Sequence, residues 1–258
     1  MQSQPIAAPQ RWPSSLWIVR HGQSAGNVAR DAADASGHTH IAVDARDADV
    51  PLSDLGVEQS VALGRWFADL PRQQRPEVVL VSPYLRARQT ATHAQTQGGL
   101  VPEPAQFVVD ERLREKEFGI LDRLTRAGIE QLHPEQAEMR RLLGKFYHRP
   151  PGGESWCDVI LRLRSALDTL SLHYGGRRVL IVSHQVVVLC LRYLIESLTE
   201  EQILAIDREA DVANCAITEY AFDAASGGLL LRQYNTVAPL VESGAPVTSQ
   251  PDAKVAAR

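Results

Sequence analysis

The sequence predicts an α/β domain, a three-layer α/β/α sandwich around a mostly parallel central sheet. The first observation is a set of short runs rich in Val, Ile and Leu, which are typical of strands buried on both faces. The second is that helical patterns separate these runs, and strands that alternate with helices favour a parallel sheet. The third is that glycine and proline mark the boundaries between segments.

The predicted elements cover most of the chain in a regular order. The predicted strands are residues 16–19, 77–81, 107–109, 178–182, 213–222 and 229–234. The predicted helices are residues 54–70, 84–96, 155–173 and 186–195. Residues 28–50 are rich in Ala and Asp and show little periodicity, so they predict a long loop that includes a helical turn. Residues 120–150 have helical content without a strand signal, so they predict a helical insert.

Local signals set the ends of these elements. Ser53 is a typical N-cap for the helix that follows it, and Pro71 ends that helix. Gly98 follows the next helix, where a C-terminal cap is expected. In the helix over residues 155–173, apolar residues repeat on one face, as expected for a helix packed on a core.

Length and composition favour one folded domain. The chain has 258 residues, of which 44% are hydrophobic and 22% are charged, with a net charge of −4. We predict a single domain over residues 1–238 and a disordered tail over 239–258, which is rich in Pro, Ala and Ser. No run of like charge suggests a nucleic-acid surface or a membrane anchor, so neither partner is expected.

The N-terminus and the cysteines favour a cytoplasmic protein. Residues 1–15 are polar and lack the basic start and apolar stretch of a secretory signal. No apolar segment approaches the length that spans a bilayer. The three cysteines, Cys157, Cys190 and Cys215, form no C-x-x-C pair, which argues against a disulfide framework or structural zinc. We expect no metal and no cofactor.

Arginines and histidines follow three of the predicted strands. Arg20 and His21 come directly after the first strand, Arg86 lies shortly after the second, and His184 follows the strand over residues 178–182. Ligands of such sheets bind at the carboxyl ends of the strands, so we expect these side chains to meet at one edge.

Such a cluster suits phosphoryl transfer. Arginine presents a planar fork of donors that fits phosphate oxygens, and histidine is both a nucleophile and a proton carrier near neutral pH. No carboxylate adjoins these residues in the sequence, so the site is expected to attract a dianion. A leaving alkoxide also needs a proton, and Glu115 and Glu117 are the candidate acids.

Five ordered motifs resemble the histidine phosphatase superfamily, which is phosphoglycerate mutase-like in fold. The resemblance is carried by Arg20-His21-Gly22-Gln23-Ser24-x-x-Asn27, Ser82-Pro83-Tyr84-Leu85-Arg86-Ala87-Arg88-Gln89-Thr90, Leu113-x-Glu115-x-x-x-Gly119, Gly153-Glu154-Ser155 and Val182-Ser183-His184. Together they span about residues 16–190. The resemblance is strongest to the phosphatase branch, and in detail to its yeast phosphatase-type members.

This resemblance implies a role for each matching residue. His21 is implied as the nucleophile that becomes phosphohistidine, and Arg20 and Arg86 as ligands of the phosphoryl oxygens. His184 is implied to stabilise the transition state and Glu115 to be the proton donor. The implied phosphate or substrate contacts are Asn27, Gln23 and Ser24, in addition to Arg20, Arg86 and His184.

The sequence departs from the family pattern at two positions. Gln185 stands where a glycine usually follows the second histidine, so the local turn is expected to differ. Arg123 stands at the second glycine of the family's G-x-x-x-G-x-T pattern, where it is expected to alter the substrate mouth.

The motifs favour a metal-independent phosphomonoesterase that acts on a small-molecule phosphate ester through His21. One alternative is a phosphoglycerate-type mutase, but mutases of the family usually carry tryptophan at the position of Gly26. A second alternative is a non-catalytic binder of phosphorylated ligands. The natural substrate and the oligomeric state, including a homodimer, are left open.

Overall fold

The computed structural model describes residues 10–100 and 106–249, and within these ranges a six-stranded sheet is flanked by helices. The strands are Ser15–Arg20 (β1), Val78–Val81 (β2), Gln106–Val109 (β3), Arg178–Ser183 (β4), Ile217–Asp223 (β5) and Gly228–Thr236 (β6). The helices are Ala25–Ala35 (α1), Asp54–Asp69 (α2), Leu85–Thr96 (α3), Arg126–Leu132 (α4), Pro134–Tyr147 (α5), Trp156–His173 (α6), Gln185–Ile195 (α7), Glu200–Glu209 (α8) and Ala238–Ser243 (α9).

The sheet is mostly parallel, as the sequence predicts. The strand order is β3-β2-β4-β1-β5-β6. The first four strands in this order run parallel, whereas β5 pairs antiparallel with β1 and with β6. Arg20 at the end of β1 lies opposite Ser183 at the end of β4. The carboxyl ends of β1, β2 and β4 therefore share one edge of the sheet.

Alternating side chains of the strands build two separate cores. In β1, Leu16 and Ile18 pack on the side of α6 and α7, and Trp17 and Val19 pack on the side of α2 and α3. This alternation follows from the two-residue period of a strand. Burying each large apolar side chain contributes about 1.5–3 kcal/mol to folding. The three-layer α/β/α architecture is therefore confirmed.

Two helices lie where the sequence pattern did not predict them. Helix α1 occupies part of the predicted loop over residues 28–50. Its N-cap is Ser24, which forms a capping box with Asn27. Helix α8 begins at a similar box between Thr199 and Gln202. Both helices are short, and each is started by a reciprocal cap rather than by a long apolar period.

Two helices lie within residues 120–150, the segment predicted as a helical insert. They are α4 and α5, and Pro134 opens α5 at a position where proline is well tolerated. Near the end of α5, Gly144 has φ 77° and introduces a kink. None of the described helices is long and apolar enough to cross a bilayer.

The prediction of a disordered tail over residues 239–258 is wrong for its first part. Leu240 of α9 is fully buried in the core on the side of α2. Further along, the carbonyl of Thr248 accepts a hydrogen bond from the Asn214 amide at 2.8 Å. This segment packs because its few apolar residues meet a groove that the sequence pattern did not reveal. Residues 250–258 lie outside the described residues.

Candidate functional site

The edge of the sheet brings together the residues that follow β1, β2 and β4. The His21 amide donates to the carbonyl of Ser183 at 2.9 Å, which continues the pairing of β1 with β4. The rings of His21 and His184 lie 5.1 Å apart, edge to face. Arg86, from the start of α3, places its Nε 3.2 Å from Nε2 of His21. The predicted cluster of two histidines and an arginine therefore exists in the fold.

Hydrogen bonds fix which nitrogen of His21 is the reactive one. Nδ1 lies 2.7 Å from the carbonyl oxygen of Gly22, which can only accept, so Nδ1 carries a hydrogen. In the neutral ring the lone pair then lies on Nε2, facing Arg86. The Asn214 amide group donates to the His21 carbonyl at 2.9 Å and holds the backbone in place. This arrangement presents Nε2 as a nucleophile.

Gly22 allows α2 to approach the site closely. A Cβ at Gly22 would lie 2.5 Å from the carbonyl oxygen of Gly56, so a side chain cannot fit there. The Gly22 amide donates to Oγ1 of Thr90 on α3 at 3.0 Å. The chain that follows His21 is therefore held between α2 and α3.

Arg20 and His184 are fully buried and anchored to the surrounding frame. Arg20 donates to the carbonyl of Val212 at 2.6 Å. Nε2 of His184 shares a hydrogen bond with the Ser82 hydroxyl at 2.8 Å, and the ring packs edge to face on Tyr84. These hydrogen bonds hold both side chains in position before a ligand binds, which favours a preorganised site.

Asp47 lies against Arg86, a contact that no motif in the sequence indicates. The carboxylate is 3.0 Å from the Arg86 guanidinium, whose NH1 also donates to the Asp47 carbonyl. Asp47 lies on a 3-10 turn over Asp47–Asp49, inside the segment predicted as a loop. The expectation that no carboxylate neutralises the cluster is therefore wrong. A bridge across 39 residues leaves no local signal.

A cleft opens next to these residues, and we call it the phosphate cleft. Its wall includes Arg86, Glu115, Ser24 and Asn27 of the predicted set. Further wall residues that the motifs did not single out for this cleft are Arg30, Ile41, Val43, Asp47, Phe118 and Asp122. Burial raises the pKa of Asp122, and the charge of Asp47 adds to the rise.

The two candidate acids differ in position. Glu115 is fully buried and lines the phosphate cleft. The side chain of Glu117 is 45% exposed and accepts a hydrogen bond of 2.6 Å from the Tyr84 hydroxyl. Burial raises the pKa of Tyr84, and its bond to Glu117 raises it further, so Tyr84 remains a donor. Geometry therefore favours Glu115 over Glu117 as the acid.

Gln23, Ser24 and Asn27 hold the loop together rather than standing as isolated ligands. Gln23 accepts a hydrogen bond from the Ser53 hydroxyl at 2.8 Å and lies outside the wall of the phosphate cleft. Ser24 and Asn27 line the cleft while they cap α1. The sequence identified these residues through the motif, but it did not show this capping role.

Glu154 positions the segment that carries Glu115. Its carboxylate accepts from Arg162 at 2.9 Å, from Arg114 at 2.8 Å and from the Glu117 amide at 3.1 Å. Burial raises the pKa of Glu154, but the Arg162 hydrogen bond and charge outweigh that effect, so the pKa lies below its ordinary value. Arg162 also donates to the Glu115 carbonyl at 3.1 Å. Only Glu154 belonged to a motif; Arg162 carries no sequence signal.

The two departures from the family pattern have different structural consequences. Gln185 is simply the first residue of α7, and its side chain donates to Asp211 at 2.8 Å. Arg123 has φ 57°, the left-handed conformation that favours glycine, and its side chain lines the phosphate cleft. Gln185 lies in a helical conformation that does not require glycine. Arg123, by contrast, occupies a backbone conformation that is strained for any residue other than glycine.

A family model agrees with this site. The model of the histidine phosphatase superfamily (branch 1) matches residues 16–236, which is most of the chain. The chain therefore belongs to the histidine phosphatase superfamily. The proteins that this chain is similar to include some described as phosphatases and some described as probable mutases.

Relatives in sequence include proteins of two kinds. A bifunctional protein of Mycobacterium tuberculosis is 31% identical over 221 residues, which are 86% of this chain and 54% of the relative. This chain thus spans about half the length of that relative. A Yersinia enterocolitica protein described as a "probable phosphoglycerate mutase" is 29% identical, over 79% of this chain and 82% of the relative.

Solved structures share the fold. A mycobacterial glucosyl-3-phosphoglycerate phosphatase is 25% identical and superposes with a TM-score of 0.62, over 86% of this chain and 99% of that chain. The α-ribazole phosphatase from Shigella flexneri gives a TM-score of 0.68 at 21% identity, over 86% and 96% of the two chains. Because the identity to the Shigella flexneri protein is only 21%, this similarity supports the fold alone.

Proposed function

We propose that the protein is a metal-independent phosphomonoesterase that forms a phosphohistidine on Nε2 of His21. The observation that carries the proposal is the orientation of His21. Its Nδ1–H is fixed on the Gly22 carbonyl, and its Nε2 lone pair faces Arg86 at a buried edge of the sheet. Family membership supports phosphoryl transfer. The geometry supports Nε2 of His21 as the nucleophile that forms the new bond to phosphorus.

In the first step, the phosphate of the substrate replaces the Asp47 carboxylate as the partner of the Arg86 guanidinium. Arg20, Arg86 and His184 donate to its oxygens, which spreads and stabilises the negative charge. Nε2 of His21 attacks phosphorus, and the bond from phosphorus to the ester oxygen breaks. Glu115, buried at the wall of the phosphate cleft, gives its proton to the leaving oxygen.

In the second step, the phosphoryl group passes to water. The Glu115 carboxylate takes a proton from the water molecule, whose oxygen attacks phosphorus. The bond to Nε2 breaks, inorganic phosphate leaves, and both His21 and protonated Glu115 are regenerated. Phosphoryl transfer depends mainly on positioning and charge stabilisation, which this set of side chains supplies without a further group.

The mutase remains the second candidate because a relative described as a "probable phosphoglycerate mutase" covers 79% of the chain. A mutase would use the same His21 but return the phosphoryl group to a hydroxyl of a sugar acid. Gly26, in place of the tryptophan usual in mutases, favours transfer to water. A non-catalytic binder would form no phosphoenzyme at all.

The setting of the enzyme is part of the same proposal. Cys157, Cys190 and Cys215 are all free thiols, which supports a reducing cytoplasm. Burial raises the pKa of Cys190 and of Cys215, so these thiols are unreactive. The small-molecule phosphate ester as substrate, the lack of a metal or cofactor, the lack of nucleic-acid or membrane partners, and a homodimer all stay predictions.

The test is p-nitrophenyl phosphate turnover in the presence of EDTA. We expect the wild type to be active and His21→Ala to lose at least about a thousandfold in kcat, as for removal of a nucleophile. His173→Ala, an exposed histidine at the end of α6, is the matched control and should keep full activity. Intact mass after substrate addition should show a phosphoenzyme of the wild type. Turnover that survives His21→Ala would overturn the mechanism.

A further inference from the structure

A second cleft lies beside the phosphate cleft, on the side of the helical insert. Two of its wall residues directly follow proposed site residues, Lys116 after Glu115 and Gln185 after His184. Phe118 forms part of the wall of both clefts. We call this second space the cationic cleft. Its remaining wall residues are Leu121, Arg140, Lys145, His148, Pro150, Trp156 and Val186.

The charge of the cationic cleft is one-sided. Three of its ten described wall residues are lysine or arginine, and none is acidic. Lys145 is neutralised by Asp207 of α8, at 2.5 Å. Lys116 is only 4% exposed, and within residues 10–100 and 106–249 its ammonium has no hydrogen-bond or ion-pair partner. It lies 4.5 Å from the centre of the Phe118 ring. A buried cation is costly unless an anion compensates it.

Burial and neighbouring cations together lower the pKa of two groups in the cleft. Burial lowers the pKa of Lys116 to about 8, and the charges of Arg140 and Lys145 lower it further against the opposing pull of Glu115 and Glu154. Burial lowers the pKa of His148 to about 4, and the charges of Arg140 and Lys116 add to that effect. An anion placed among these groups would oppose both shifts, because it would stabilise the charged forms of Lys116 and His148.

We propose that the cationic cleft binds a second anionic group of the substrate while the first phosphate lies at His21. The inference rests on the proposed function and adds the substrate class: phosphate monoesters that carry a further carboxylate or phosphate. Arg140 offers the planar fork that fits either anion, and Lys116 adds a point charge. Because Phe118 borders both clefts, the body of the substrate would cross this ring.

The experiment measures binding rather than turnover, with His21→Ala as the background so that the ligand stays intact. One pair of ligands is 3-phosphoglycerate and glycerol 3-phosphate, which differ in a carboxylate. A second pair is fructose 1,6-bisphosphate and fructose 6-phosphate, which differ in a phosphate. Titration calorimetry should show at least about tenfold tighter binding of the doubly anionic member of one pair, as expected for charge-assisted hydrogen bonds. The pair that shows it identifies the second anion.

Neighbouring arginines on α5 provide the matched variants. Arg140→Gln in the same background should reduce the preference to about twofold or less, because it removes one charge and its hydrogen bonds from the cleft. Arg141→Gln should keep the preference, since Arg141 is exposed, pairs with Glu138 and lies outside the wall of the cleft. Lys116→Gln is a second variant in case Arg140→Gln fails to fold, which thermal unfolding would reveal.

Three results would overturn the inference: equal affinity within both pairs, an equal loss in Arg141→Gln, or no binding of any of the four esters at millimolar concentration. Wild-type turnover of p-nitrophenyl phosphate is measured separately. If the wild type does not turn over p-nitrophenyl phosphate, the proposed phosphatase activity is contradicted. The preference for doubly anionic ligands then still tests the role of the cationic cleft. Turnover without any preference would count against the cationic cleft alone.

Discussion

The phosphate cleft and the cationic cleft are neighbours, but they are built differently. In the phosphate cleft and just behind it, three cationic or histidine side chains are held by partners from the surrounding structure. Arg20 is held by the Val212 carbonyl, Arg86 by Asp47 and His184 by Ser82. The cationic cleft takes Arg140 and Lys145 from the insert, and its Lys116 has no ion-pair or hydrogen-bond partner in the described ranges. This difference fits the proposal that the sheet edge carries the chemistry and the insert selects the substrate.

The largest expected effect would sharpen the role of the phosphate cleft. Glu115→Gln removes the proposed proton donor, so turnover of alkyl phosphates should fall by about 10²–10⁴. Turnover of p-nitrophenyl phosphate should fall far less, because a nitrophenolate leaves without protonation. Steady-state kcat on both esters measures the difference. Glu117→Gln is the control, since this exposed carboxylate bonds to Tyr84. Equal losses on both esters would argue for a purely electrostatic Glu115.

The next effect would test the cationic cleft through pH. Because the pKa of Lys116 is lowered to about 8, its charge is present below that pH and lost above it. For a doubly anionic ester, kcat/KM relative to p-nitrophenyl phosphate should therefore fall about tenfold from neutral to alkaline pH. Burial is the largest cause of this lowered pKa, and the surrounding charges that modify it are those of Arg140, Glu115, Glu154 and Lys145. A ratio that stays flat, or the same inflection in Lys116→Gln, would contradict the assignment.

A smaller effect would test whether Asp47, the partner of Arg86 in the phosphate cleft, helps or hinders phosphate binding. Asp47 competes with phosphate for Arg86, so Asp47→Asn should lower the inhibition constant of inorganic phosphate about three- to fivefold. The side chain of Asp47 is 34% exposed, which limits the gain through solvent screening. Asp49→Asn is the control, because Asp49 pairs with Arg46 at the surface. A raised inhibition constant would mean that Asp47 orients Arg86 instead.

The smallest effect concerns the rim that the insert contributes to the phosphate cleft. Arg123 adopts φ 57°, and Arg123→Gly should relieve that strain and raise the free energy of unfolding by up to about 1 kcal/mol. Asp122 has φ −59°, which any residue adopts, so Asp122→Gly should instead lower the free energy of unfolding. Glycine at this position relieves no strain and only increases the conformational entropy of the unfolded chain. Urea unfolding compares the two variants. Destabilisation by Arg123→Gly would show that the bond from Arg123 to the Val43 carbonyl outweighs the strain.

The sequence alone determined which segments form the buried parallel strands and where the cluster of histidines and arginines lies. Apolar runs at residues 16–19, 77–81 and 178–182 are local patterns, and each becomes a buried strand. The residues after them, among them His21 and His184, must then meet, because parallel strands end at one edge. This inference needs only chain order and strand direction, which is why it succeeded.

Only the tertiary structure decided what surrounds that cluster. The Asn214 bond to the His21 carbonyl spans 193 residues, and the Arg86 contact with Asp47 spans 39. The cationic cleft joins Lys116 to α5, α6 and α7, and α9 returns to cover α2. None of these contacts leaves a period or a cap in the sequence, because each depends on where distant segments pack. Local propensity fixed the strands and the order of the motifs, and long-range packing fixed the partners of each charge.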